Sequence, residues 1–188
     1  PLSTKLQSGD SVEIITGALI TAVFIKFGPT LDFLIFAVLA FSLVIITAID
    51  LEHKIIPDLI TLPGIIFGFI AGAYLVGISD SIMGFLLGGG LFYAIAVLSR
   101  GGMGGGDIKL IAAIGALLGW GKVLLVIFLG SLLGSIIGLT MILIQNKNRK
   151  SQIPFGPYLA AGTLIAVFAG NNLIQLYVEL VMGKNSIF

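Results

Sequence analysis

The stretch 31–49 reads LDFLIFAVLAFSLVIITAI and contains one charged side chain, that of Asp32. An α-helix needs about 20 mostly apolar residues to cross the roughly 30 Å hydrocarbon core of a bilayer. A helix also makes all of its backbone hydrogen bonds within the segment, so it can enter lipid without leaving polar groups unpaired. The stretch therefore predicts a transmembrane helix.

Further apolar segments flank this one, separated by short breaks that hold many of the charges and glycines. Most of them are long enough to span a bilayer, but 108–118 is too short at about 1.5 Å of rise per residue. We predict one all-α domain over residues 1–188, a polytopic membrane bundle of about seven transmembrane helices with a glycine-rich loop. The segments are 12–27, 31–49, 59–78, 82–99, 108–118, 123–144 and 155–182.

The composition excludes a water-soluble globule. Hydrophobic residues make up 57% of the chain and charged residues 10%, against roughly 25% charged in an ordinary soluble domain. Ten Lys and Arg nearly balance nine Asp and Glu, so no nucleic-acid partner is predicted. With no Cys and one histidine, His53, the chain lacks the residues for a typical zinc site or a Ser-His-Asp triad. Because the sequence opens with Pro1 rather than Met, we expect that residues preceded it.

The basic residues predict an orientation in the membrane. The breaks between segments alternate sides, and cytoplasmic breaks carry an excess of Lys and Arg. The richer side is therefore predicted to be cytoplasmic, with the N-terminus inside and the C-terminus outside. That side holds Lys5, Lys54, Arg100, Lys109, Lys147, Arg149 and Lys150, whereas the other holds Lys26, Lys122 and Lys184.

Two of the acidic residues stand out by their position. Asp50 directly follows the apolar run 41–49, and Asp107 closes the glycine-rich break before the short segment. Two predicted crossings separate them, so both carboxyl groups emerge on the same face of the membrane and can meet. A carboxylate in the apolar zone costs about 2.5–3.5 kcal/mol on insertion scales, which calls for a partner or a function.

Two neighbouring aspartates cannot both ionise cheaply, so one keeps its proton while the other acts as a base. In an aspartic protease the ionised member deprotonates a water that attacks the peptide carbonyl, and the protonated member stabilises the oxyanion. Other interpretations stay open from the residues alone. Asp107 can be a helix N-terminal carboxylate, and Asp50 an interfacial charge paired with Lys54. The same carboxylates can serve a proton- or cation-coupled transporter, although no convincing internal repeat supports one.

Glycine is used in two patterns. The break 101–106 holds five glycines and Met103, which makes it costly to order. We interpret Gly104, Gly105 and Gly106 as the place where the backbone of a substrate approaches Asp107. Glycines four residues apart predict close helix packing, either as scaffold or as the seam of a homo-oligomer. They are Gly64, Gly68 and Gly72; Gly84 and Gly88; and Gly130, Gly134 and Gly138.

At these stretches the sequence resembles the type IV prepilin peptidases, membrane aspartic proteases of the GxGD class. The signature stands as GGGD at 104–107, followed by IKL at 108–110. The partner motif stands as ID at 49–50, IPD at 56–58 and LP at 62–63. VEIITG at 12–17 and PFGPY at 154–158 also match the family pattern. Four motifs in the family's order make the resemblance specific, and it covers about residues 12–170.

The resemblance implies a multi-pass enzyme of the inner membrane that removes the basic leader from prepilins or pseudopilins at the cytoplasmic face. Such enzymes cut after a Gly and commonly before a Phe. By the matching motifs, Asp50 and Asp107 are the catalytic pair, and proteolysis needs no cofactor. Asp58 is then a first-turn helix carboxylate, with Pro57 at the first helical position. Auxiliary residues of the catalytic loops are Glu52, His53, Lys54 and Lys109, with His53 interpreted as solvated.

Many bacterial members of this family carry a segment with two cysteine pairs that resembles a zinc site, and they also methylate the new N-terminus with S-adenosylmethionine. The chain has no Cys, so we predict no metal and expect that this segment is absent, which puts methyltransferase activity in doubt. Within the same protease class, the alternative is a presenilin-like enzyme that cuts inside transmembrane helices. Both aspartates lie at the ends of predicted spans, which favours the prepilin peptidase.

Overall fold

A computed structural model of the chain describes residues 2–100, 102–145 and 154–182. Those residues form six helices and no strand, which confirms the all-α prediction. The predicted residues Gly101, Lys147, Arg149, Lys150 and Lys184, and the side chain of Lys5, lie outside this description. The helices are α1 Leu2–Phe27, α2 Leu31–His53, α3 Asp58–Leu75, α4 Ile78–Leu98, α5 Gly105–Gln145 and α6 Gly156–Met182.

Among the described residues, five helices are long and apolar enough to cross a membrane, namely α2 to α6. A polytopic membrane bundle is therefore the correct architecture, but the predicted count of about seven spans is not confirmed. The label α5 covers two helices that meet at Gly119, and the predicted segments 108–118 and 123–144 lie on either side of this residue. Gly119 has φ 79° and ψ 174°, a conformation that costs glycine little and other residues much.

The chain changes direction at this interruption. Before it, Gly106 lies against Ile56, next to the end of α2. Gly119 itself lies beside Asp80 at the start of α4, and Lys122 beside Gly170 of α6. Further along, Gly134 lies against Phe155, directly before α6. The second half of α5 therefore returns to the end of the bundle from which the first half started.

Helix ends follow local sequence signals. The Thr30 hydroxyl accepts a hydrogen bond from the Phe33 N–H at 3.3 Å and so caps α2, as Thr commonly does. Lys54 ends α2 in a left-handed conformation, with φ 56°. Asp58 is the first residue of α3, and Pro57 is its N-cap. The prediction of Asp58 in the first turn is confirmed, while Pro57 lies one position earlier than predicted.

Helix α5 is the centre of the bundle and packs against α3, α4 and α6. Its residues Ile111, Ile114, Leu117, Val123 and Val126 are almost completely buried. Large apolar side chains on the outer faces are exposed, among them Leu59, Ile66 and Ile70 of α3. This distribution suits a bundle whose outer surface is solvated by lipid.

Several of the glycines spaced four residues apart lie at contacts between helices inside this bundle. A Cβ on Gly72 would overlap the Ala116 carbonyl, and a Cβ on Gly84 would overlap that of Gly115. Gly130 and Gly134 lie in the same way against the first turn of α6. These faces therefore fit the scaffold interpretation, in which small residues let helix backbones approach closely, and give no support to a homo-oligomer formed through them.

Candidate active site

Asp50 lies in the last turn of α2 and is 4% exposed. Its Oδ2 accepts a hydrogen bond of 2.8 Å from the backbone N–H of Gly156, the first residue of α6. The first N–H groups of a helix have no partner within the helix and carry the positive end of its dipole. The buried carboxyl group is thus held at a helix N-terminus, where an anion is favoured.

Asp107 is the third residue of α5 and is partly exposed. Its carboxyl group lies against Gly104, which precedes the helix: a Cβ added to Gly104 would lie 2.9 Å from Asp107 Oδ2. A carboxylate in the first turn of a helix is favoured by the free N–H groups and the dipole there. The helix N-terminal interpretation of Asp107 is therefore correct as a description of its local structure.

Both carboxyl groups lie at the same end of the bundle, which we call the aspartate end. Ile56 lies between the start of α5, which carries Asp107, and the start of α6, whose first N–H binds Asp50. A Cβ on Gly106 would lie 2.7 Å from the Ile56 Cβ, and one on Gly156 would lie 3.3 Å from the Ile56 Cδ1.

The three glycines assigned to substrate approach have different surroundings. The space next to Gly106 is filled by the Cβ and carbonyl of Ile56, and that next to Gly104 by the carboxyl group of Asp107 itself. Gly105 has no atom within 4 Å of an added Cβ. Gly105 and Gly106 also belong to the first turn of α5 rather than to a loop. The close contact with Ile56 therefore explains why residue 106 is a glycine. Of the three glycines, only Gly105 has open space beside it that a substrate could occupy.

A further acidic residue of the aspartate end, Asp58, forms an ion pair. The Lys109 ammonium lies 2.7 Å from both carboxylate oxygens of Asp58, with the two side chains 37% and 56% exposed. This contact joins the first turn of α3 to the start of α5. It is the only ion pair within residues 12–100, 102–141 and 154–181, so Asp50 is not paired with Lys54 as the alternative interpretation supposed.

The remaining auxiliary residues surround the site without entering it. Glu52 and His53 lie in the last turn of α2 rather than in a loop, and both are exposed. The interpretation of His53 as a solvated residue fits this position. Lys54 is also exposed and ends the helix, its backbone N–H donating to the Asp50 carbonyl at 2.9 Å.

Two residues that matter for this geometry were not among the predicted site residues. Gly156 supplies the hydrogen bond to Asp50 and has no room for a side chain, because a Cβ would lie 2.8 Å from Asp50 Oδ2. Ile56 separates the starts of α5 and α6. Both lie in motifs quoted above, PFGPY and IPD, but a motif does not reveal which atoms its residues contact.

A groove of about 320 Å³ opens beside the aspartates, and we call it the α4–α6 groove. Its lining is mainly apolar and aromatic, with the hydroxyl groups of two serines and one tyrosine as the polar side-chain groups. In the described residues, no three His, Asp or Glu side chains group together as they would around a metal ion. The groove is lined by Phe92, Ile95, Met103, Ile127, Ser131, Gly134, Ser135, Phe155 and Tyr158.

Residues 37–139, more than half of the chain, match the model of the type IV leader peptidase family. A prepilin leader peptidase/N-methyltransferase of Aeromonas hydrophila is 37% identical over 175 residues, which cover 88% of this chain and 60% of that protein. The protein of the same name from Bacillus subtilis is 36% identical over 178 residues, covering 92% of this chain and 71% of the relative. A third, from Legionella pneumophila, is 37% identical over 177 residues, covering 89% and 61%.

The chain thus spans about three fifths of the length of the Aeromonas and Legionella relatives. No solved structure matches the chain significantly.

Proposed function

The chain belongs to the type IV leader peptidase family, and from this membership we propose that it is an aspartic endopeptidase acting on prepilins or pseudopilins. In this proposal Asp50 and Asp107 activate the water that cuts the bond between the basic leader and the mature protein. The observation that carries the proposal is that these two carboxyl groups, from helices far apart in the sequence, lie at one end of the bundle, where the helix starts next to them both contact Ile56.

The chemistry requires one ionised and one protonated carboxyl group. The ionised group takes a proton from a water molecule, whose oxygen forms a bond to the carbonyl carbon of the substrate. The protonated group donates a hydrogen bond to the carbonyl oxygen, which gains negative charge. When the C–N bond breaks, the leaving amine takes up a proton from the pair, and the original protonation of the two carboxyl groups is restored.

The position of the pair supports cleavage near the membrane surface. Asp50 lies in the last turn of α2 and Asp107 in the first turn of α5. An enzyme that cuts inside transmembrane helices, as presenilin-like proteins do, would favour aspartates in the middle of a span. We place this end in the cytoplasm. Of the described basic residues, Lys54, Arg100 and Lys109 lie towards it, whereas Lys26 and Lys122 lie at the opposite end.

Methyl transfer is not part of this proposal. S-adenosylmethionine carries a positive sulfonium and an ammonium group, which acidic or carbonyl oxygens would hold, and an adenine that needs polar partners. The α4–α6 groove offers hydroxyl groups as its polar side-chain groups and no carboxylate. The residues of this groove therefore do not fit that cofactor.

The test is cleavage of a purified prepilin by the detergent-solubilised chain, with the new N-terminus identified by sequencing. Asp50→Asn and Asp107→Asn keep the size of the side chain but cannot act as base or acid, so each should lower the rate by about 10²–10⁴-fold or more. Asp80→Asn is the matched control, because Asp80 lies beside Gly119 at the opposite end and should retain activity.

Full activity in either dyad variant would end the assignment of the pair. A metal chelator should leave the rate unchanged, because the two carboxyl groups supply the acid and the base themselves. Loss of activity on chelation would contradict the proposed chemistry.

A further inference from the structure

Ile56 contacts both of the helix starts that lie beside the aspartates. A Cβ added to Gly106 would lie 2.7 Å from the Ile56 Cβ and 2.8 Å from its carbonyl oxygen. A Cβ added to Gly156 would lie 3.3 Å from the Ile56 Cδ1. The backbone end of this residue therefore lies against the start of α5, and the tip of its side chain lies against the start of α6.

Each of these helix starts is tied to one of the two aspartates. Gly106 directly precedes Asp107 in the first turn of α5. The N–H of Gly156 donates to Asp50 Oδ2 at 2.8 Å. The separation of the two glycines therefore helps to determine how far apart the two carboxyl groups lie, and the Ile56 side chain fills part of that separation.

The backbone around Ile56 leaves its side chain little freedom. Lys54 ends α2 in a left-handed conformation with φ 56°, and Pro57 is the N-cap of α3 with φ −68°. A residue that precedes proline is restricted to extended conformations, and a β-branched side chain has few favourable χ1 rotamers. Ile56 is also partly buried and packs against the hydrophobic core. These constraints suit a rigid spacer between two helices.

The segment that carries Ile56 is anchored on both sides. Before it, the Lys54 N–H donates to the Asp50 carbonyl at 2.9 Å. After it, the Asp58 carboxylate pairs with Lys109 of α5 at 2.7 Å. The residue is therefore held in place relative to both α2 and α5.

We infer that Ile56 is a positioning residue for the two aspartates, whose side chain holds the starts of α5 and α6 at the separation that the reaction with water requires. This inference rests on the proposed function, because it assigns a role in that reaction. The competing interpretation is that Ile56 only fills space in the core. The two roles differ in what a shorter side chain does to the pair of carboxyl groups.

Ile56→Val tests the inference because it removes the Cδ1 that faces Gly156 and keeps the Cβ that faces Gly106. Ile56→Leu is the rescue variant, since leucine keeps a methyl group at the δ position. The matched control is Ile60→Val. Ile60 is also partly buried and packs against the same core, but it lines a separate cavity between α2, α3 and α5. For each protein, kcat and KM for a purified prepilin are measured over a range of pH.

Ile56→Val should lower kcat about three- to tenfold and change KM less than about twofold, a smaller loss than the roughly hundredfold expected when reacting groups move by 1 Å. Without the Cδ1, the start of α6 can approach that of α5, so the two carboxyl groups share one proton over a wider pH range. The bell-shaped pH dependence of kcat should therefore broaden. Ile56→Leu and Ile60→Val should each keep kcat within about twofold of the wild type, with a pH dependence of unchanged width.

Three results would overturn the inference. The first is an unchanged kcat in Ile56→Val. The second is a lower kcat in that variant with a pH dependence of unchanged width, which would indicate a role in core packing alone. The third is a loss of similar size in Ile56→Leu or in Ile60→Val, because neither variant removes the δ-methyl contact with Gly156.

A titration followed by NMR gives a measurement that does not depend on turnover. The protein is labelled with ¹³C at the aspartate carboxyl carbons, and the two signals of the pair are identified by their absence in Asp50→Asn and Asp107→Asn. In Ile56→Val these signals should titrate over a wider pH range than in the wild type and in Ile60→Val. Equal titration in all three proteins would overturn the role of Ile56. If the wild type cleaves no prepilin, the proposed function falls, and the titration alone decides whether Ile56 sets the separation of the pair.

Discussion

Gly156 is the residue on which the position of Asp50 depends most directly. Its N–H is a hydrogen-bond donor to the buried carboxyl group, and its missing side chain leaves room for that group. A hydrogen bond to a charged group contributes roughly 1.5–3 kcal/mol, and an unsatisfied buried acceptor costs a similar amount. Gly156 thus supplies the hydrogen-bond donor and, because it lacks a side chain, also the space that the carboxyl group occupies.

We predict that Gly156→Ala lowers kcat by about tenfold or more, because its Cβ would lie 2.8 Å from Asp50 Oδ2 and must displace α6 or the carboxyl group. The measurement is the cleavage rate beside thermal unfolding in detergent. Gly121→Ala is the control, since an added Cβ there has no atom within 4 Å, and it should keep the wild-type rate. Equal rates for the two variants would show that the contact with Gly156 does not matter for activity.

At the scale of helices, the ion pair between Asp58 and Lys109 links α3 to the start of α5, two residues beyond Asp107. Exposed ion pairs contribute about 0.2–1 kcal/mol, so this one adds little to overall stability. Because the pair holds the helix turn that carries Asp107, its loss should also lower activity, by an amount in the same range.

A double-mutant cycle measures that link. Asp58→Asn and Lys109→Gln should each lower kcat/KM about two- to fivefold, in line with the energy of an exposed pair, and the double variant should be no worse than either. Lys122→Gln, at the opposite end, is the control and should leave kcat/KM unchanged. Additive losses in the double variant would mean that the two side chains act independently.

The interior of the bundle shows why helix α5 can occupy its centre. The backbones of α4 and α5 approach closely at Gly84 and Gly115, where a Cβ added to either residue would lie 2.1 Å from the carbonyl oxygen of the other. The hydroxyl group of Ser81 donates to the Ala116 carbonyl at 2.6 Å, so a polar side chain is satisfied where water is absent. Small residues and one hydroxyl thus hold the central helix against its neighbour.

For the whole molecule, the two ends of the bundle differ in chemistry. The aspartate end holds the two carboxyl groups and the Asp58–Lys109 pair. At the opposite end the Lys26 ammonium donates to the carbonyl groups of Val167 and Phe168 in α6. If the proposed function is correct, the first end faces the cytoplasm, where the leader is located before cleavage.

Single cysteines can test this orientation, because the chain has none of its own. Glu52 lies at the aspartate end and Glu179 near the C-terminus of α6, and both are exposed. In intact spheroplasts a membrane-impermeant maleimide should label Glu179→Cys, and it should label Glu52→Cys only after permeabilisation. The reverse pattern would contradict a cytoplasmic active site.

The sequence by itself determined the fold class and the two candidate acids. Long apolar segments require helices in lipid, and counting crossings between Asp50 and Asp107 was enough to put both on one face. The glycine spacing also predicted close packing, although not which helices would pair. These features depend on local composition and on whether the number of membrane crossings is even or odd. They can therefore be predicted without knowing how the helices pack against one another.

Only the tertiary structure decided which residues contact the acidic side chains at the aspartate end. The contacts of Gly156 with Asp50 and of Lys109 with Asp58 join residues 106 and 51 positions apart. Gly105 and Gly106 likewise differ only in the tertiary structure, because Ile56 lies against Gly106 and not against Gly105. The reversal of the chain at Gly119, between two predicted segments, is also seen only there. Such contacts depend on how the helices cross and rotate against one another, because a side-chain pattern along one helix defines its buried face but not the atoms that meet it.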